Sequence, residues 1–280
     1  MSSRKKHKKN TISNHIKHDT RQIAIYRPVE SDNLRNVKHI ITERCKKMGC
    51  HVKIQPFTKV IRHHRYSFSN IIATNPRASA PYIVLVAHID APQIPGIEAA
   101  IDSATGIAII FALLKQILAY EPTYPIMALF VDAEEAIDGT WADDNTLTGS
   151  RYFVNHYDLT QIDRVYVLDL LGGSFKNKIG LFANNPDSAA DLKKLYIINK
   201  KYKHQLFSPP WHIIQKSIKD DHVPFIEKGI YAVNLIPYKF PKSHHTLSNT
   251  YDNVNWEYVN IFYNVFYEFL LQLRTPSLPI

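Results

Sequence analysis

The 280-residue sequence predicts a single α/β domain: a central, mostly parallel mixed β-sheet with helices on both faces. Three observations predict it. Short apolar runs of strand length alternate with longer stretches of helical periodicity. The run Tyr82–His88 (YIVLVAH) is apolar throughout until it meets a polar residue, as a strand buried on both faces is. Several such runs end in an acid or a histidine, which places polar groups at the carboxyl edge, where open α/β sheets bind ligands.

The elements follow in order. Residues 1–24 are expected to form a basic, disordered tail: seven Lys and Arg against Asp19 give it +6 of the chain's +9, so the body carries only +3. Such a tail could touch nucleic acid, anionic lipid or a transport receptor. The mild charge of the body gives no reason to expect nucleic-acid binding. Residues 25–280 are expected to form one α/β domain. Asn33–Met48 repeats apolar residues at Leu34, Val37, Ile40 and Ile41, a helix that Gly49 stops. His51–Phe57 and Ser67–Thr74 read as strands. Ser103–Tyr120 is a long apolar helix opened by Asp102, and Ile126–Val131 is the next buried strand, ending at Asp132-Ala133-Glu134-Glu135. Gly149–His156 is a short helix and Arg164–Leu170 a strand ending at Asp169. Ser188–Lys203 is a helix, Ile230–Ile236 a strand, and Val254–Leu273 a closing helix.

No apolar run reaches the roughly 18 residues of a membrane span. Residues 10–18 are polar where a signal peptide would be apolar, so a cytoplasmic protein is the default expectation. Cys45 and Cys50 are too few for a disulfide framework and are expected to be reduced.

His88 and Asp90, Asp102, Glu134 and Glu135, Asp169, and His244 and His245 therefore gather at one sheet edge. Carboxylate and imidazole donors without thiolate suit a catalytic zinc, which leaves one coordination position open. Each residue alone has a plainer reading: Asp102 as a helix N-cap, a histidine after a strand as a loop residue. The pair Glu134-Glu135 resists that reading. Two ionised carboxylates at the end of an apolar strand repel each other unless a cation is near. Strand alternation would aim one at the metal and the other at the substrate.

In sequence order stand Arg65-Tyr66-Ser67-Phe68-Ser69-Asn70-Ile71-Ile72, Ala87-His88-Ile89-Asp90, Asp102-Ser103-Ala104-Thr105-Gly106 and Asp132-Ala133-Glu134-Glu135-Ala136. Trp141, Leu147-Thr148-Gly149-Ser150-Arg151, Asp169-Leu170-Leu171-Gly172, Asp220-Asp221-His222-Val223-Pro224-Phe225, Leu235-Ile236-Pro237, Phe240-Pro241 and His245-Thr246 follow. This series resembles the animal-type glutaminyl-peptide cyclotransferases, of the zinc aminopeptidase-like superfamily, over about residues 30–275. The resemblance implies one zinc ion held by Asp102, Glu135 and His245. It makes Glu134 the proton carrier, with Asp169 and Asp220 in a hydrogen-bonded network beside it. Trp141 and Phe240 match pocket-lining aromatics. Lys219 and His244 fall at substrate-binding positions where the family has glutamine and tryptophan. Ala87 and Ile107 occupy the positions of a disulfide in the secreted enzymes, a departure that suits a reducing compartment.

The implied reaction cyclises the N-terminal glutamine of peptides and proteins to pyroglutamate and releases ammonia, and a monomer is expected. Two alternatives stand beside it. A two-metal aminopeptidase would add His88 and Asp169 as ligands, with Asp102 bridging. A non-catalytic binding protein of the same fold would use the basic tail for its contacts.

Overall fold

The computed structural model describes residues 2–209 and 211–273, with the side chains of residues 2–11 left aside. Helices α1 (Ser2–Ile23) and α2 (Asp32–Lys47) lead into a hairpin of β1 (His51–Ile61) and β2 (His64–Thr74). Strand β3 (Tyr82–His88), helix α3 (Thr105–Tyr120), β4 (Ile126–Val131), α4 (Thr148–His156) and β5 (Ile162–Leu168) follow. Helices α5 (Ala189–Asn199) and α6 (Val223–Glu227), strand β6 (Ala232–Leu235) and helix α7 (Trp256–Leu273) complete the domain. The domain boundary expected at 280 lies outside the described residues.

The six-stranded sheet runs β1-β2-β4-β3-β5-β6. The β1–β2 hairpin is antiparallel and joins β4 antiparallel, whereas β4, β3, β5 and β6 are parallel. Alternate residues of these strands feed two cores. Leu85, Ala87, Ala128, Phe130, Tyr166 and Leu168 pack with residues of α1, α2, α3, α5 and α7. Val84, Val86, Leu129, Val131, Val165 and Val167 pack under Phe153 of α4 and Phe225 of α6. This is the two-sided burial that an apolar parallel strand predicts.

Helix α2 begins where Ser31 accepts a hydrogen bond from the Leu34 amide (3.1 Å), an N-cap, and it buries Leu34, Val37, Ile41 and Cys45. The hairpin is longer than the sequence indicates. Arg62 and His63 form its two-residue turn, both with positive φ (46° and 69°), without the glycine or asparagine that usually marks such a turn. Pairing continues from His51↔Thr74 to Ile61↔His64.

The tail expected to be disordered is corrected. Residues 2–23 form helix α1, and its second half belongs to the core: Ile16, Thr20 and Ile23 are buried, with Ile12 packed against them. These four positions are spaced as one helical stripe, sparse enough to be hidden by the surrounding charge. Asp19 pairs with Arg44 of α2 at 2.9 Å. Among the described residues one helical run, Ala100–Tyr120, is as long and apolar as a membrane span, where the sequence showed none. It lies almost entirely inside the protein, as a core helix does. Cys45 and Cys50 are both free.

Candidate active site

Glu134 and Glu135 follow β4 and Asp169 follows β5, so two parallel strands present their carboxyl ends to one cavity, while His88, which ends β3, is buried beside Asp102 and Asp169. Asp102 enters from the irregular turn Ala100–Ala104, which precedes α3. It does not cap α3: the N-cap of that helix is Ala104, and the Asp102 side chain faces histidines. The Ser103 hydroxyl donates to the His88 carbonyl (2.9 Å), tying that turn to β3. The Ile101 amide donates to the Asn249 side chain (2.9 Å), tying the turn to the segment that carries His245.

The glutamate pair is not on a strand. β4 stops at Val131, Ala133 takes a left-handed φ of 55°, and both glutamates sit in the turn that follows. Asp90 is what holds them: its two carboxylate oxygens accept the backbone amides of Glu134 and Glu135, each at 3.1 Å. The two carboxylates and a His88 ring nitrogen all lie within 4.8 Å of one another. Gly149 lets this turn close, since a Cβ there would lie 2.3 Å from the Asp132 carbonyl oxygen.

Around Asp102 the geometry divides in two. Its Oδ1 faces His88 Nε2 at 3.1 Å, and that same nitrogen lies 3.4 Å from Asp169. Its Oδ2 lies 3.6 Å from His245 Nε2, which approaches Glu135 at 3.1 Å. Of the predicted ligands Asp102, Glu135 and His245, His245 thus reaches both carboxylates, while the three residues whose donor atoms all lie within 4.8 Å of one another at this end are Asp102, His244 and His245. The fit of the predicted ligands to zinc rests on two observations. Oδ2 of Asp102 is buried without a hydrogen-bond partner, a state that a cation would relieve. The spacings 3.1 and 3.6 Å bracket the roughly 3.3 Å expected between two donors about 2.0 Å from a tetrahedral zinc. His88, Asp102 and Asp169 also lie close enough together to hold an ion.

Proton affinities reflect this crowding. Burial, then the neighbouring Glu135, raises Glu134 well above the usual carboxylate range. Burial and Asp102 lift Glu135 to about 7 against the pull of His245. Burial and then Asp169 raise Asp220 well above its usual range. Burial also penalises charge on Asp102, but His88 and His245 outweigh it and hold that carboxyl at about 2. His245 is disfavoured as a cation by burial, yet Glu135 and Asp102 raise it to about 9. The low dielectric amplifies each of these effects.

Beneath the cavity lies a residue that the sequence did not single out. Arg27 is fully buried, and its guanidinium donates to the carbonyls of Ile89 (2.6 Å), Glu98 (3.0 Å), Ile25 (3.2 Å), Ala99 (3.3 Å) and Asp102 (3.4 Å). It thus fixes the backbone on either side of Asp102 and supplies a positive charge near Asp90, Asp102 and Glu135. Nothing in the local pattern of Ile25–Pro28 signals this.

The remaining predicted residues line the same cavity of about 720 Å³: Asp220, Trp141, Phe240, Lys219 and His244. Asp220 is buried, whereas Trp141 and Phe240 are 41% and 40% exposed and therefore form the mouth. His244 stacks on His245 at 3.8 Å and tilts against Phe240 at 4.7 Å. Lys219 pairs with Asp143 at 2.7 Å, across from Trp141's loop.

Residues 70–270 match the model of peptidase family M28. The chain is 27% identical to a mouse glutaminyl-peptide cyclotransferase-like protein over 84% of this chain and 69% of the relative. It is 29% identical to a Drosophila melanogaster glutaminyl-peptide cyclotransferase over 83% and 73%. The crystal structure of Macrostomum lignano glutaminyl cyclase superposes with a TM-score of 0.87 at 22% identity, covering 99% of this chain and 95% of that one. With the fold, the cavity at the strand ends and the matched span in agreement, this chain belongs to peptidase family M28.

Proposed function

We propose that the protein is a zinc-dependent glutaminyl-peptide cyclotransferase, acting on peptides and proteins with an N-terminal glutamine and using one metal ion. The observation that carries this reading is the row of three carboxyl groups, Glu134, Asp169 and Asp220, in the cavity that also contains Asp102, Glu135 and His245. Hydrolysis needs one base for water. Cyclisation must take a proton from an amine and deliver it to a leaving nitrogen of the same residue, and the raised proton affinities of Glu134 and Asp220 suit that task. The two cyclotransferase relatives, alike over more than four-fifths of this chain, support the same activity.

The α-amine enters an acidic floor, where Asp169 and Asp220 hold it. The side chain of the substrate folds back so that its γ-carbonyl meets the amine, and the enclosure contributes mainly by orienting the two. A zinc ion held by Asp102, Glu135 and His245 would supply Lewis-acid polarisation of that carbonyl. Glu134 takes a proton from the amine as the new nitrogen–carbon bond forms. It returns the proton to the amide nitrogen as the carbon–nitrogen bond breaks and ammonia departs. Trp141 and Phe240 shield the opening from water. The charge on Arg27 offsets part of the repulsion among the acids below.

A second reading has its own observation. His88, Asp102 and Asp169 are close enough to bind a second ion, as a hydrolytic aminopeptidase would require. One assay separates the two. Incubated with Gln-Ala peptides and a leucine anilide, the zinc-loaded protein should release ammonia and leave a pyroglutamyl peptide. Release of a free N-terminal amino acid or of the aniline would overturn the cyclase reading.

A further inference from the structure

The cavity has opposite charge at its two ends. Its lining acids, Asp102, Glu134, Glu135, Asp169 and Asp220, are all buried on the floor. Its lining lysines, Lys216, Lys219 and Lys239, are all exposed at the mouth, and among the described residues every acid that lines the cavity lies on the floor. Lys219 is engaged by Asp143, an exposed pair of the kind that exchanges partners at little cost. Lys216 and Lys239 have no carboxylate at ion-pair distance among the described residues. Lys239 is also held in a left-handed conformation (φ 57°), with its carbonyl accepting a hydrogen bond from Asn177. A β-strand or helix would not impose that conformation, and it fixes Lys239 beside Phe240 at the opening.

A peptide whose first residue folds into the acidic floor must leave through this mouth, so its second and later residues meet the lysines. We propose that the lysine rim is a specificity subsite for acidic side chains following the N-terminal glutamine, so that acidic N-termini are the favoured substrate class. This rests on the cyclase reading of the floor. The charge is local: the chain's +9 is mostly in the first 24 residues, so three lysines around one opening are not the average surface of this protein.

The test compares C-terminally amidated Gln-Glu-Glu-Ala, Gln-Ala-Ala-Ala and Gln-Lys-Lys-Ala on the zinc-loaded protein, with ammonia release giving kcat/KM. At low ionic strength the acidic peptide should exceed the neutral one by about threefold or more, and the neutral one should exceed the basic one. The order should flatten in concentrated salt, where screening shortens to roughly 3–5 Å. Substituting Lys216→Glu with Lys239→Glu should reverse the ratio of acidic to basic peptide. Affinities of the same peptides for Glu134→Gln protein, read by calorimetry, give the order without turnover. Equal kcat/KM and equal affinities at low salt, or an unchanged ratio in the double variant, would overturn the rim assignment. If no peptide releases ammonia, the cyclase reading falls, and the calorimetric order alone decides whether the rim selects acids.

Discussion

The floor and the rim of the cavity are built on different principles. The floor residues Glu134, Glu135 and Asp169 follow β4 and β5, Asp102 precedes α3 and Asp220 precedes α6; all are buried, and two ties brace them: Asp90 holds the glutamate turn, and Arg27 holds the backbone around Asp102. The rim residues Trp141, Lys216, Lys219, Lys239 and Phe240 lie in irregular segments and are exposed. Rigid strands give chemistry its fixed geometry, while loops carry the choice of substrate. Substitutions in the floor should therefore abolish activity or stability, and those in the rim should only redistribute it.

The largest effect is expected at Glu134. Glu134→Gln should lower the rate of ammonia release at least about a hundredfold while zinc remains bound, measured by turnover beside metal analysis. A variant that stays active would remove Glu134 from the proton path. His245→Ala should leave the purified protein without stoichiometric zinc, and retained metal would mean that His245 is not a ligand.

The next effect is on stability. Arg27→Met should cost about 3 kcal/mol or more in denaturant unfolding, because buried carbonyls lose their donor. Arg35→Met, at an exposed arginine paired with exposed Asp32, should change stability by no more than about 0.5 kcal/mol. Equal costs would mean that the floor's buried cation is not a structural tie.

A smaller effect concerns pH. In chelator-treated protein, Glu135 and Asp221 titrate near 7 and His245 near 9, each above its unfolded value. Each group binds its proton more tightly in the folded state, so its stabilising contribution is present at low pH and lost as pH rises through those values. Asp102, held at about 2, acts oppositely, but its contribution is complete by about pH 5. The melting temperature of the metal-free protein should thus fall between about pH 5 and 9. Zinc, which needs deprotonated ligands, should restore several degrees more at the upper end than at the lower. A zinc-induced gain independent of pH would contradict the crowding of acids around the metal.

The same division explains what could be read from the sequence. His88, Glu134, Glu135 and Asp169 were visible because buried parallel strands are continuous apolar runs, and the residues that end them must reach the carboxyl edge. The means of presentation was not: strand alternation predicts opposite sides for Glu134 and Glu135, whereas a turn tied to Asp90 leaves their carboxylates within 4.8 Å of each other. Arg27 is invisible because its partners are main-chain carbonyls up to 75 positions away, which leave no residue pattern. Helix α1 was hidden because four apolar-face positions were outweighed by charged neighbours. Lys216 and Lys239 lie in stretches without periodicity, where only the folded chain brings them to one opening.

The central claim is one metal ion and one reaction at the floor. Metal-free protein should be titrated with zinc while pyroglutamyl peptide is followed from a Gln-Ala peptide. The account predicts that product formation rises in proportion to zinc and saturates at one equivalent per chain, with the peptide bond intact. Saturation only at two equivalents, or appearance of free glutamine in place of the pyroglutamyl peptide, would contradict it.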